Sequence, residues 1–441
     1  MQRFACDLII DAAWVLPIAP ENRALSAHSV CVTDGRIVAL GPTPDVHGAW
    51  EARHRVSFED GILTPGLVNA HTHAAMTLLR GVGEDLPLER WLRDCIWPLE
   101  NALVNEDFVA AGTELAVAEM LRRGITTFTD MYFFPETTAR VARAAGMRAV
   151  LAFPVFEGST AWSRGVEDCF HLGLALHDAC RGDPLVEVAF GPHAPYSVSM
   201  STLEKINMYA QELGLGVHIH LHETAHEVAE ARRLHGRSWV HVLGDIGLIS
   251  PQLQAVHMTQ LEDDEIRLLA NHGASVIHCP NANMKLADGT CPLTRLVANG
   301  VNVAIGTDGA AANNSLDVLA DARTAALLAK LQAGDPTVAA APDMLARATL
   351  GGARALGREA QLGSVEPGKL ADLVVFVPDS PAALPLYDPF AALLHTGSAF
   401  SVAASWVAGT QVVHAGQPRL LDETAMHAHV REQAQRVRAH R

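Results

Sequence analysis

From residue 66 onward, short apolar runs alternate with longer stretches of helical periodicity, the pattern produced by βα repetition and a parallel sheet. The apolar runs are GLVNAHTH (66–73), GITTFTDMYF (124–133), RAVLAFPVF (148–156), LVEVAFGPHA (185–194), GVHIHLHE (216–223), LQAVHMT (253–259), ASVIHCP (274–280) and NVAIGTDG (302–309). Eight such strands predict an α/β fold of the (β/α)₈ TIM barrel type, with the working end at the C-terminal ends of the strands. Between them, residues 105–123 place Phe108, Ala111, Leu115 and Ala118 on one helical stripe, and 135–146, 201–213, 225–235, 263–271 and 292–298 repeat that pattern. Further helical material at 315–332 and 342–356 follows the last run.

The chain ends read differently. DLIIDAAWVLPI and HSVCVTDGRIVALGP are β-like, with Asp34-Gly35 as a hairpin turn between two alternating runs. ADLVVFVPD (371–379) and SWVAGTQVVHAG (405–416) are β-like too, the second carrying a Gly-Thr turn. Neither end has enough apolar surface for a core of its own, so the two are expected to pair. This predicts a small β-sandwich domain built from residues 1–63 and 363–441, the latter ending in a helix, around a barrel at 64–362.

Composition narrows the partners. No apolar run approaches bilayer length, and the N-terminus lacks the continuous apolar region of a secretory signal, so a soluble cytoplasmic protein is expected. The seven cysteines are scattered singly with no CxxC pair, which speaks against a disulfide framework or a thiolate metal knot and for small buried hydrophobes. With 33 basic and 49 acidic residues the formal charge is −16, a field that repels nucleic-acid phosphates and anionic membranes. A small-molecule substrate fits better, and association into a homo-oligomer is left open.

The chemistry lies in where polar residues interrupt the apolar strands. His71 and His73 end the first barrel strand, His220 the fifth, His257 the sixth and Asp308 the eighth. Taken singly, a strand-end histidine is usually structural. Together these five point to one barrel mouth, and two histidines two apart on a strand share a face and can bind one ion. His71, His73, His220 and Asp308 form a four-ligand set of imidazole and carboxylate that suits Zn²⁺ and leaves room for water. Glu223, just beyond its strand, can shuttle a proton from that water to a substrate ring nitrogen, although alone it reads equally as a first-turn residue favouring a helix N-terminus. A competing motif overlaps: His222-Glu223-Thr224-Ala225-His226 matches the HExxH signature of zinc proteases. That match requires a helix, and here a strand runs directly into His222.

The segments TPGLVNAHTHAAMTLLRG, VHIHLHET, HCPNANMKLADG and IGTDGAAANNS, with DMYF at 130–133, GPHAPY at 191–196 and SVEPGKLADLVVF at 364–376, resemble the amidohydrolase superfamily over nearly the whole chain. Within it the chain is most similar to the 5-methylthioadenosine/S-adenosylhomocysteine deaminases, a one-metal aminohydrolase group related to the triazine hydrolases. The resemblance implies one zinc per chain on His71, His73, His220 and Asp308, with Glu223 as proton shuttle and His257 contacting the attacking water or the substrate. Two-metal members need a bridging lysine at the end of the fourth barrel strand. That strand here, LVEVAFGPHAPY, has none.

The resemblance further implies that Trp91 and Glu100 contact base and ribose, that His193 reaches a purine nitrogen, and that an adenine nucleoside loses its amino group as ammonia. Members favouring S-adenosylhomocysteine can use arginines after the third barrel strand to hold its carboxylate. This chain has Pro154 at one such place and only Arg164 nearby. Rival readings are an s-triazine or ammeline hydrolase on the same metal site, a barrel with a dead site that only binds, and, most distant, the HExxH protease.

Overall fold

The structure, a computed structural model, describes residues 3–440. The chain begins with β1 (Phe4–Val15), β2 (Leu25–Thr33), β3 (Arg36–Pro42) and the long β4 (Trp50–Pro65). Asp34 and Gly35 both take positive φ, 49° and 73°, between the paired residues Thr33 and Arg36, the geometry of a type I′ hairpin turn. Only Gly66 separates β4 from the first barrel strand, and a side chain there would collide with Thr126.

The barrel follows as β5 (Leu67–Thr72), β6 (Ile125–Asp130), β7 (Arg148–Val155), β8 (Val186–Pro192), β9 (Val217–Leu221), β10 (Leu253–His257), β11 (Ser275–His278) and β12 (Asn302–Ile305). These strands form one parallel sheet in sequential order. The seam between its last and first strands is held by the Asp308 amide donating to the His71 carbonyl at 3.0 Å and the Thr307 amide donating to Asn69 Oδ1 at 3.0 Å. Gly306 permits that approach, because a Cβ there would lie 2.9 Å from the backbone nitrogen and Cβ of His71.

After the barrel come β13 (Leu373–Pro378), β14 (Phe400–Val407), β15 (Thr410–His414) and β16 (Gln417–Pro418). They join the N-terminal strands in one mixed sheet ordered β16-β15-β14-β13-β4-β1-β2-β3. Side chains from both arms, including Ile10, Val30 and Ile37 on one side and Leu373, Val375 and Trp406 on the other, share one apolar core. The expected pairing of the two chain ends is thus realised as a single sheet bent over its own interior. The β14–β15 turn is Ala408-Gly409, one residue earlier than the expected Gly-Thr, since Val407 pairs with Thr410 and Ala408 and Gly409 take positive φ. Residues 1, 2 and 441 of the expected segments lie outside the described residues.

The helical stripes at 105–123, 135–146, 201–213, 225–235, 263–271 and 292–298 appear as helices Glu106–Arg122, Pro135–Ala145, Met200–Leu213, Ala225–His235, Asp263–His272 and Leu293–Ala298. Helix Val166–Ala179 escapes the periodicity because its buried face carries Gly173, against which the Phe153 ring packs too closely for a side chain. A helical stretch over Leu88–Leu103, with a π-helical turn at Leu92–Ile96, covers the barrel mouth. No helix among the described residues is long and apolar enough to cross a membrane. All seven cysteines are free, six of them buried and Cys95 half-buried.

Candidate active site

The apolar, tightly paired strands deliver a polar cluster to the barrel mouth. Asp308 Oδ1 lies 3.5 Å from His71 Nε2 and 3.4 Å from His73 Nε2, and His220 Nε2 lies 3.3 Å from His71 Nε2. His71 with His73 and Asp308, and His71 with His220 and His257, form two overlapping groups whose ligand atoms all fall within 4.8 Å of one another. Asp308 and His257 adopt left-handed backbone, φ 62° and 75°, a conformation that costs energy in non-glycine residues and collects where function demands it.

Each imidazole is aimed by its other nitrogen. His73 Nδ1 bonds the Met131 carbonyl at 2.6 Å, His220 Nδ1 the His193 carbonyl at 2.7 Å, and His71 Nδ1 meets His218 Nε2 at 2.8 Å. All three therefore turn Nε2 away from these partners, with His71 Nε2 facing both Asp308 and His220, the kind of bond that fixes ring orientation around a metal. Burial, reinforced by the neighbouring histidines, holds His71 and His220 well below the usual imidazole range, so they stay neutral and keep lone pairs for coordination. The donor set of three imidazoles and one carboxylate fits a single divalent ion of borderline softness. No lysine ends β8; His193 follows its last residue, Pro192.

Glu223 sits in the turn between β9 and helix Ala225–His235, whose N-cap is Thr224. Glu227 one turn on accepts from the backbone amides of His222 at 2.8 Å and Glu223 at 2.9 Å, and so pins this turn. Burial, with the carboxylates of Asp288 and Asp308 nearby, raises the Glu223 carboxyl well above its ordinary range, a state suited to carrying a proton at neutral pH. His257 Nε2 stands 3.4 Å from Glu223 Oε1, while its Nδ1 contacts Asn283 Nδ2 at 3.0 Å.

The HExxH histidines diverge. The His222 ring is buried against the Gln260 carbonyl at 2.7 Å, whereas His226 is solvent-exposed and faces Glu89 at 3.5 Å. They cannot hold one ion, so the protease reading falls.

The cluster floors a cavity of about 420 Å³, within the range of small-molecule sites. Glu100 and Tyr132 line it, with the tyrosine hydroxyl donating to Glu100 Oε1 at 2.7 Å. Burial pushes the Glu100 carboxyl up to about 7. His193 also lines the cavity and stacks on Phe156 with ring centroids 4.7 Å apart. Trp91 contributes its ring to the wall, but its Nε1 is committed to the Val82 carbonyl at 2.9 Å. It can pack against a base and has no free donor.

Arg164 is not brought to the site. Its side chain is 91% exposed and its guanidinium pairs with Asp168 across one helical turn, 3.2 Å away. The sequence reading also passed over His218, Glu227, Tyr132 and Asn283. His218 was signalled by its place two residues before His220 on the same strand face; Glu227 and Asn283 act through contacts that no local pattern encodes.

A barrel with such a cluster at its mouth and a proton-carrying carboxyl beside it has the equipment of a metal-dependent hydrolase. The chain belongs to the amidohydrolase family, whose model matches residues 62–412. It is 47% identical over 407 residues to the 5-methylthioadenosine/S-adenosylhomocysteine deaminase of Teredinibacter turnerae, covering 92% of each chain. It is similar to the crystal structure of an adenosine deaminase from Xanthomonas campestris with bound zinc, with a TM-score of 0.97, 44% identity and coverage of 99% of this chain and 100% of that one. An atrazine chlorohydrolase from Arthrobacter aurescens complexed with zinc shares the fold at a TM-score of 0.89 and 22% identity, over 97% of this chain and 100% of that one. The chain is accordingly a metal-dependent aminohydrolase.

Proposed function

We propose that this enzyme hydrolyses the exocyclic C6–N bond of adenine nucleosides, 5′-methylthioadenosine and S-adenosylhomocysteine among them and adenosine as well, releasing ammonia and the inosine analogue, with one Zn²⁺ per chain. The observation that carries this reading is the pair of carboxyls in one cavity: Glu223, buried beside the ligand cluster, and Glu100, half-buried in the wall. The names of the similar deaminases support it.

A zinc ion on His71, His73, His220 and Asp308 would supply Lewis-acid polarisation and lower the pKa of a water. Glu223 gives its proton to N1 of the ring while Asp308 takes a proton from the water that adds to C6. Asp308, directly or through Glu223, then protonates the amino group, the C6–N bond breaks to release ammonia, and the C6 hydroxyl proton passes back to Glu223, leaving the C6 carbonyl. His257 Nε2, set by Asn283, steers the water and Glu223. His193 reaches a purine nitrogen, and Glu100 accepts hydrogen bonds from the ribose hydroxyls.

The wall also bears on the 5′ substituent. Among the described residues lining the cavity none is a lysine or arginine, and Leu88, Ile96, Trp97, Pro154 and Phe156 make much of it apolar. An uncharged thioether is favoured there over an amino-acid tail whose carboxylate would lack a cation.

Ammonia release is to be measured on 5′-methylthioadenosine, S-adenosylhomocysteine, adenosine, guanine and s-triazines. The highest kcat/KM is expected for 5′-methylthioadenosine. Higher activity on a triazine than on any nucleoside would overturn the proposal.

A further inference from the structure

Beneath the cluster, the barrel axis carries a second row of polar groups that the chemistry above does not use. His218 is fully buried and Gln254 nearly so. The β9–β10 register sets them side by side, one layer below His220 and Val256. Gln254 Oε1 lies 2.7 Å from His218 Nδ1, and His218 Nε2 lies 2.8 Å from His71 Nδ1. Gln254 also lines a second cavity, of about 520 Å³, at the opposite, N-terminal end of the strands.

The direction of these bonds follows from the inventory of each group. An amide oxygen only accepts, so His218 Nδ1 carries the hydrogen. A neutral imidazole then has a lone pair on Nε2, and His71 must donate to it from Nδ1. That leaves His71 Nε2 bare and pointed at the ligand cluster.

We infer that Gln254 and His218 are positioning residues that set the tautomer and the aim of the metal ligand His71 from the barrel floor. Resting on the reading of His71 as a ligand, the inference adds that the affinity of the site is fixed by a relay reaching across the barrel interior. A relay partner of this kind is worth about 10- to 100-fold in metal affinity.

The experiment measures zinc affinity of the holoenzyme by chelator competition in the parent and in Gln254→Met, Gln254→Glu and His71→Ala. Methionine fills nearly the same volume but replaces the amide oxygen with a weakly accepting thioether, so zinc should be held about 10- to 100-fold more weakly. Glutamate keeps the acceptor and makes it stronger, so affinity should equal or exceed that of the parent. A side chain that only fills space predicts the reverse order, methionine harmless and buried glutamate the worse. That order, or equal affinity in all three, would overturn the inference.

His71→Ala tests the underlying assignment separately: loss of zinc supports the ligand role, and full retention removes it and the relay with it. Nitrogen-15 spectra of the unmutated protein give a readout independent of folding in the variants. His71 and His218 should both carry the hydrogen on Nδ1, and a hydrogen on His218 Nε2 would refute the relay.

Discussion

At the junction between sheet and barrel, Asp372 is buried with Arg148. The guanidinium meets both carboxylate oxygens, Nε at 3.1 Å and Nη2 at 3.2 Å, and the Ala408 amide donates a further bond at 2.7 Å. At the barrel mouth Glu223 is also buried and Glu100 half-buried, and no lysine or arginine among the described residues pairs with either. The same functional group thus serves two ends. Given a cation and a full set of donors, a carboxylate ties two elements together. Left without them, it holds its proton into the neutral range and becomes able to give it away.

Removing the partner at the junction should show the largest effect. Asp372→Ala strands the buried Arg148 charge and is expected to lower stability by about 3–5 kcal/mol, with kcat of the folded protein unchanged; denaturant unfolding and active-site titration measure both. A loss below about 1 kcal/mol would erase the contrast between the two regions.

At the mouth, Glu223→Gln keeps size and one acceptor but cannot move a proton. Turnover should fall by roughly 10² or more, about 2.7 kcal/mol of barrier, with metal content retained by elemental analysis. If metal is lost in step with activity, Glu223 is a ligand.

A smaller effect concerns Glu100. In the parent, 2′-deoxynucleosides should lose at least roughly tenfold in kcat/KM against their ribo counterparts, because a half-buried carboxyl is left short of a partner once substrate covers it. Glu100→Ala should remove most of that discrimination. Equal activity of the parent on both sugars would show that Glu100 does not sense the ribose.

The subtlest difference is in pH. Burial raises Glu100 from 4.5 to about 7, so between those values the folded state holds a proton that the unfolded state has released. Its contribution to stability is full below pH 4.5 and is lost as pH rises through about 7. Relative to Glu100→Gln, the parent should therefore become less stable between pH 5 and 8, by about 1 kcal/mol where cavity water screens part of the charge. A stability gap that does not change with pH would place the ionisation elsewhere.

The sequence was legible where one physical rule dominates. Barrel strands buried on both faces must be apolar, so His71, His220 and Asp308 stood out as exceptions, and His71 Nε2 lies within 3.5 Å of both His220 Nε2 and Asp308 Oδ1. It was less legible where geometry comes from tertiary contact. Gly173 hid a helix because its reason, the Phe153 ring, lies on another element. The Leu88–Leu103 cover bends through a π-helical turn that no 3.6-residue stripe describes. Arg164 was placed near the site by proximity in sequence, yet it lies at the start of a helix where Asp168, four residues on, captures it.

The seam of the barrel has a consequence for how the chain folds. Asn69 and Thr307, which close it beside the proposed ligands, are 238 residues apart in sequence. A contact this distant is among the slow ones to form, and the proposed ligand set is divided between its two sides. Before the last strand docks, His71 and His73 have no Asp308 to meet, and a nascent chain released short of it carries only a partial site. Tight metal capture should therefore report the completion of the barrel. Because an ion bound only by the closed form stabilises that form by mass action, metal supply would govern how long the finished enzyme survives as well as how fast it works.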